Sequence, residues 1–304
     1  MKTLVVLLGP TGVGKTELSL SLAEMLGCPI INCDSRQVFQ GLRIGTAAPT
    51  AEQQSRVKHY FVATLPLDTY YSAAQYEADV LQLTAELYKS HDVLLLSGGS
   101  MMYIDAVCHG IDDIPTVSEA VRTSIKERLA TEGLEALAEE LRRIDPEYYD
   151  IVDKKNTRRI VHALEICHMS GRSYTSFRVC KQKPRPFRII KIGLNRPREE
   201  LFGRINARVD KMMDNGLLDE VRQYAAYRNC NALNTVGYKE LFQVLDGAWE
   251  LNMAIERIKK NTRVYAKKQL TWFQRDESIK WFHPDDTELI KGYLNQTLHE
   301  HDMA

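Results

Sequence analysis

Leu4-Val5-Val6-Leu7-Leu8-Gly9-Pro10-Thr11-Gly12-Val13-Gly14-Lys15-Thr16 is the stretch that decides the fold of this 304-residue chain. Five apolar residues read as a buried strand. The G-x-x-x-x-G-K-T that follows opens onto a helical pattern from Glu17 to Leu26, apolar at Leu18, Leu22, Met25 and Leu26. Strand, glycine-rich turn and helix is the context in which this motif grips phosphate. The glycines let successive backbone N–H groups converge, Lys15 adds a point charge, Thr16 can hold Mg²⁺, and the helix N-terminus adds a favourable dipole. Gly9 to Thr16 therefore form a cradle for a di- or triphosphate. The same loop serves kinases, ATPases, GTPases and some transferases, so it names the ligand and leaves the reaction open.

Outward from the loop, strand and helix patterns alternate as in a doubly wound parallel sheet. A short strand, Pro29 to Cys33, ends in Asp34. A helix follows Ser72, an N-cap with Gln75 three residues on, and runs to about Lys89. Val93 to Leu96 is another buried strand, closed by Gly98-Gly99-Ser100, and Phe187 to Leu194 is one more. Between these two the pattern is helical. It has an N-cap at Ser118, a break at Gly133, a new start at Asp145-Pro146, and a helix from about Thr157 that Gly171 stops. The expected architecture is a P-loop NTPase-like α/β core, residues 1–115 and 187–304, with a helical insertion over 116–186. Long helices around Glu199–Asn215 and Asn252–Arg275 follow the last strand.

Hydrophobic content of 44% and charged content of 26% suit a soluble globular protein. No apolar run approaches the length that spans a bilayer, and the N-terminus lacks a signal-peptide pattern, so a cytoplasmic protein without membrane contact is expected. Cys28, Cys33, Cys108, Cys167, Cys180 and Cys230 show neither C-x-x-C pairing nor histidines at zinc spacing, which reads as reduced thiols without a protein-only metal site. His59, His162 and His168 read as structural, and Trp249, Trp272 and Trp281 as core or interface.

The net charge of zero hides a segregation. Residues 1–150 carry 12 basic and 21 acidic side chains, 151–275 carry 26 and 12, and 276–304 carry 2 and 7. A phosphate loop on an acidic third and a basic later half imply two ligands, one of them polyanionic. The basic residues come in two blocks: nine from Arg172 to Arg198 and seven from Arg257 to Arg275, with no acid inside either. On the second, Ile255, Ile258, Thr262, Tyr265, Gln269 and Trp272 form one stripe, while Lys259, Lys260, Arg263, Lys267 and Lys268 cover the rest. Lacking acidic partners at helical spacing, these cations read as a polyanion surface. Lys154, Lys155, Arg158 and Arg159 add a third cluster.

Asp34, at the carboxyl end of its strand, should face the phosphate loop across the ligand crevice. It can coordinate Mg²⁺, cap a turn or act as a general base. The Val93–Leu96 strand ends without the acid that P-loop ATPases use to hold Mg²⁺, and Asp92 lies at the wrong end of the sheet. Both facts weigh against an ATPase or GTPase.

G-P-T-G-V-G-K-T, D-S-R-Q-V-F-Q-G-L-R-I-G-T-A, S-G-G-S-M-M-Y, R-R-I-V-H-A-L-E, R-I-N-A-R-V-D-K-M-M, T-V-G-Y-K-E and R-x-x-A-K-K-Q-L-T-W-F, in that order, closely resemble the tRNA dimethylallyltransferases over nearly the whole chain. That resemblance implies transfer of a dimethylallyl group from its diphosphate to N6 of the adenine just 3′ of a tRNA anticodon, with Mg²⁺ and without ATP hydrolysis. It implies Asp34 as the base for the amine proton and Thr11 at the reacting centre. Gly9, Pro10, Thr11, Gly12, Val13, Gly14, Lys15, Thr16, Arg204 and Arg208 would hold the diphosphate, with Mg²⁺ on Thr16. Ser35, Arg36, Gln37 and Ser100 would contact the extruded adenine and its neighbours, together with Asp34. Arg122, Arg158, Arg159 and the segment Gly237-Tyr238-Lys239 would contact the anticodon stem-loop. The match is to the bacterial type, without the eukaryotic zinc-finger extension, and a monomer is expected. Ser100, Ala48 and His162 depart from the family's usual Thr, Lys and Arg. The alternatives are an adenylate isopentenyltransferase, a small-molecule P-loop kinase, or a non-enzymatic RNA-binding protein.

Overall fold

The computed structural model describes residues 1–179 and 182–299. In chain order, β1 (Thr3–Leu8), α1 (Lys15–Leu26), β2 (Ile30–Cys33), α2 (Ala51–Arg56), β3 (His59–Tyr60), α3 (Ala73–Leu87), β4 (Val93–Gly98) and α4 (Met101–His109) come first. The helices α5 (Glu119–Ile144), α6 (Pro146–Ile151) and α7 (Thr157–Ser170) follow. After them run β5 (Arg188–Leu194), α8 (Arg198–Asp214), α9 (Leu217–Gln223), α10 (Tyr238–Leu245), α11 (Leu251–Phe273), β6 (Ile279–Phe282) and α12 (Thr287–His299).

The six strands form one parallel sheet in the order β3-β2-β4-β1-β5-β6. β1 is central and buried along its whole length, which is why its sequence is an unbroken apolar run rather than an alternation. Loops leaving β1, β2, β4 and β5 all emerge at the carboxyl edge, where open α/β sheets bind ligands. Asp92 lies at the opposite edge, its carboxylate 2.9 Å from the ammonium of Lys2. The Ser72 cap works in one direction only: its hydroxyl accepts the Gln75 N–H, while the Gln75 side chain turns to Asp79. β3 and β6 were not expected. The first pairs only two residues, and the second is an edge strand in a polar stretch, so neither carries an apolar run.

The chain divides into two compact units, Met1–Cys108 with Arg185–Ala304, and His109–Pro184, against expected boundaries at 115/116 and 186/187. The second unit has its own core, centred on Ile125, Leu137, Leu141, Ile160 and Leu164. Gly133, at φ 83°, breaks α5. The buried Asp145 caps α6 through the Tyr148 N–H and also accepts from the backbone and hydroxyl of Thr175, each at 2.7 Å. Arg158 and Arg159 are exposed on α7. Cys28, Cys33, Cys108, Cys167 and Cys230 are free thiols; Cys180 lies outside the described residues. Among the described residues, no helix is long and apolar enough to cross a membrane.

Candidate active site

The phosphate loop turns its carbonyls toward cations. The Lys15 ammonium donates to the Gly9 and Pro10 carbonyls, both at 2.8 Å. Arg204 of α8 donates to the Gly12 carbonyl at 3.1 Å, and Arg196, following β5, to that of Val13 at 2.9 Å. Carbonyl oxygens that would repel an anion are thereby neutralised, and the positive ends are retained. The loop is glycine-dependent at Gly12, whose φ is +82° and where a Cβ would lie 2.8 Å from Ile205 of α8. Burial pulls the Lys15 pKa down to about 7; the nearby charge of Arg208 adds to this, and Asp34 partly offsets it. Burial likewise lowers Arg208, against the attraction of Asp34.

Asp34 follows β2 and is half-buried. Its Oδ1 accepts the N–H groups of Arg36 (2.8 Å) and Gln37 (3.3 Å), so it does close a turn. A carboxylate has a second oxygen, and the turn does not engage it. The Ser100 hydroxyl accepts the Ser35 N–H at 2.8 Å, tying the end of β4 to the residue after Asp34. Arg36 donates to the Asn231 carbonyl at 2.6 Å. The Gln37 amide donates to the carbonyls of Thr46 and Ala47 at 3.0 and 3.2 Å, and Arg208 reaches Thr46 at 3.5 Å.

That 43–47 loop hangs on one buried carboxylate. Glu220 of α9 accepts the N–H groups of Arg43, Ile44 and Gly45 at 2.8–2.9 Å and the Tyr238 hydroxyl at 2.6 Å. Tyr238 corrects the sequence reading. Expected to contact tRNA, it is fully buried, and its ring packs where a Cβ on Gly45 would lie 2.6 Å away. Gly237 and Lys239, on either side, do line the cavity described next.

A cavity of about 1090 Å³ opens at the carboxyl edge of the sheet. Its walls bring together Thr11, Gly12, Gly14, Lys15, Thr16, Asp34, Ser35, Arg36, Gln37, Ser100, Arg204, Arg208, Gly237 and Lys239 of the expected residues. Gly9, Pro10 and Val13 are buried behind the loop, and Arg122, Arg158 and Arg159 belong to the helical unit. Two further wall residues lie in the last quoted motif, Tyr265 at one of its open positions and Gln269 as its glutamine, and neither is among the expected site residues. Tyr265 of α11 lines the cavity, its phenol pushed up to about 12 by burial and by the charge of Asp34, against the pull of Arg36. Gln269, one turn further on, accepts the Thr11 N–H at 2.9 Å and donates to the Gly99 carbonyl at 2.7 Å. α11 is tied down along its length. Asn261 bonds Glu240 (2.7 Å), Arg263 bonds Asn206 (2.5 Å), and the Trp272 indole donates to Asp105 (2.8 Å). Lys259 is also paired, with Asp210 and Glu256, so the expectation that this block lacks acidic partners fails at that position. Among the described residues, the candidate metal ligands Glu200, His283 and Asp285 cluster, but the Arg196 guanidinium is ion-paired to both carboxylates.

A phosphate loop and a carboxylate facing one cavity at the carboxyl edge of a parallel sheet place the protein among P-loop-like α/β proteins. The family model described as "IPP transferase" matches residues 37–276. The tRNA dimethylallyltransferase 1 of Bacteroides thetaiotaomicron is 60% identical over 294 residues, covering 97% of this chain and 96% of that protein. The protein of the same name from Phocaeicola vulgatus is 61% identical over 98% of this chain and 99% of its own. In structure, the full-length tRNA isopentenylpyrophosphate transferase of Bacillus halodurans superposes with a TM-score of 0.72 at 33% identity, covering 99% of this chain and 98% of its own. The chain belongs to the IPP transferase family and is a prenyl transferase.

Proposed function

We infer that this protein transfers a dimethylallyl group from dimethylallyl diphosphate to N6 of the adenosine just 3′ of the tRNA anticodon, releasing diphosphate. It would do so in the cytoplasm and as a single chain. The observation that carries this reading is the cavity itself, which Lys15, Arg204 and Arg208 line together with the Asp34 carboxylate and Ser100. The relatives' names supply the substrate class.

The adenine amine is a poor nucleophile because its lone pair is delocalised into the ring, so transfer needs a stabilised leaving group, a base and tight alignment. The bond from the allylic carbon to the diphosphate oxygen breaks with its electron pair going to diphosphate. The N6–carbon bond forms, and an N6 proton passes to Asp34. The loop N–H groups, Lys15, Arg204 and Arg208 take up the charge on the departing diphosphate. For Mg²⁺ the donors are right in kind: the exposed Thr16 hydroxyl at the start of α1 and diphosphate oxygens are hard oxygen ligands. When bound, Mg²⁺ would further neutralise the leaving group. The adenine must leave its stack to enter, and Ser35, Arg36, Gln37 and Ser100, which line the cavity, would receive it. The exposed cations of α11, with Arg122, Arg158, Arg159, Gly237 and Lys239, supply the anticodon stem-loop contacts.

A kinase reading is disfavoured by the end of β4, where Ser97-Gly98 offers no carboxylate for a nucleotide's metal. The test is incubation with dimethylallyl diphosphate and either unmodified tRNA or AMP, followed by digestion and mass measurement of the nucleosides. Prenylated adenosine from tRNA alone is expected. Phosphoryl transfer from ATP without prenylation, or prenylation of AMP in preference, would overturn the reading. Asp34→Asn retains an acceptor for the Arg36 and Gln37 N–H groups and removes the base, so turnover should fall by about 10²–10⁴-fold while tRNA binding survives; Asp34→Ala should also abolish turnover.

A further inference from the structure

At the end of β4, where an ATPase would place a carboxylate, the polar side chain that enters comes from elsewhere: Gln269 of α11, only 2% exposed. Its Oε1 accepts the Thr11 N–H at 2.9 Å and its Nε2 donates to the Gly99 carbonyl at 2.7 Å. A backbone donor on one side and a backbone acceptor on the other leave a single orientation for the amide. Thr11 belongs to the phosphate loop after β1. Gly99 precedes Ser100, whose hydroxyl holds the N–H of Ser35, next to Asp34. Beyond the ends of the β1–β4–β2 ladder, at Leu8–Gly98 and Cys33–Gly98, a further bonded path therefore runs from the phosphate wall through one amide to the wall that carries the base. The seat is shaped for it: a Cβ on Gly99 would lie 2.6 Å from Nε2.

We propose that Gln269 is a positioning residue that sets the separation between the diphosphate-binding wall and the Asp34 wall; this rests on the prenyl-transfer reading above. Group transfer between two bound substrates needs the reacting atoms about 3–3.5 Å apart and aligned, and an error near 1 Å costs roughly 10²-fold. Neither substrate need touch Gln269 for it to govern the rate. A glutamate would accept from Thr11 equally well, but it would set an oxygen against the Gly99 carbonyl and bring negative charge toward a diphosphate site.

The test measures steady-state kinetics for donor and tRNA, Kd for inorganic diphosphate and for tRNA, and melting temperature, on wild type, Gln269→Met, Gln269→Glu and Gly99→Ala. Gln269→Met should lower kcat by about 10- to 100-fold, with both KM values and both Kd values within about threefold. Gly99→Ala, whose methyl would meet the amide at 2.6 Å and the Gly9 carbonyl at 3.2 Å, should lower kcat to a similar degree with tRNA Kd unchanged, and it carries the test if Gln269→Met does not fold. Gln269→Glu should lower kcat and weaken diphosphate binding as well. An unchanged kcat in Gln269→Met and Gly99→Ala, beside an active wild type, overturns this proposal alone. So does a fall in kcat matched by equal losses of both affinities and a lower melting temperature, since that is mere support of the fold. A wild type that cannot prenylate tRNA overturns the functional reading and this inference together.

Discussion

The two basic blocks, Arg172–Arg198 and Arg257–Arg275, differ little in composition, yet the fold puts them to different uses. In the first, every cation among the described residues has a partner. Lys183 meets Asp113, Arg185 meets Glu77, Lys191 meets Asp276, and Arg196 meets Glu200 and Asp285. Arg188 donates to the Thr297 carbonyl, and Arg172, Arg178 and Arg198 lie over the rings of Phe177, Tyr148 and Phe202. In the second, Lys259, Arg263 and Arg275 are engaged, while Arg257, Lys260, Lys267 and Lys268 stand exposed on α11 with no side-chain bond to any of the described residues. The absence of acids nearby in the chain says nothing about acids brought close by the fold. Among the described residues of the two blocks, cations with no acid, carbonyl or ring as partner lie in the second alone.

The largest effect that would break this contrast lies in the first block. Arg185 and Glu77 are both buried, and the guanidinium also serves the Val107 and Ala106 carbonyls. Arg185→Ala should cost about 3–5 kcal/mol of stability, because a buried carboxylate loses its cation; denaturant unfolding that shows less than about 1 kcal/mol would make the first block ordinary surface. Changing Arg257, Lys260, Lys267 and Lys268 together to Gln should do the reverse. Stability should hold within about 0.5 kcal/mol per site. tRNA affinity should fall, and the slope of log affinity against log salt should flatten by about 0.7–0.9 for each phosphate no longer neutralised. Unchanged affinity and slope would reduce α11 to a solvated face. A smaller effect concerns Asp276. Burial pushes its carboxyl up, but the bonds from Lys191 and Ser278 prevail and hold it below the usual range. A depressed folded-state value means stability that is complete above the unfolded carboxylate value and fades as pH falls through the folded one. Between about pH 5 and pH 3 the wild type should therefore lose more melting temperature than Lys191→Met, with the difference worth about 1 kcal/mol or less. Lys15 belongs to neither block. Since burial lowers it to about 7, binding of dimethylallyl diphosphate at about pH 8 should take up a fraction of a proton. Calorimetry in buffers of differing ionisation enthalpy reads this, and Lys15→Met should show none.

The legible parts of the sequence are those whose causes are local. The phosphate loop, the strands flanking it, the caps at Ser72, Ser118 and Asp145, and the stop at Gly171 each depend on residues a few positions apart, and all are found. Asp34 is legible as a cavity residue because a strand end in a parallel sheet has a known destination, and its turn-closing reading is found as well. Tyr238 escapes such reasoning because the residues on either side of it do line the cavity, while its own burial against Gly45 and Glu220 depends on α9, eighteen residues away. Gln269 is legible only as one letter of R-x-x-A-K-K-Q-L-T-W-F; its partners are not, because its two bonds span 258 and 170 positions of the chain. An uncharged amide on a helical stripe gives no hint of what it will meet.

The anchoring of α11 at Asn261, Arg263, Gln269 and Trp272 also limits the kinds of change this helix can accept. Each residue of an α-helix turns the next by about 100°. One residue inserted at the exposed Lys267-Lys268 pair would keep charge, hydropathy and helix propensity, yet swing the Gln269 amide and the Trp272 indole away from their partners. Substitution along the outer face is cheap, whereas a change of length is not. Along this helix, variation among functional sequences should run through letter changes and leave the spacing intact.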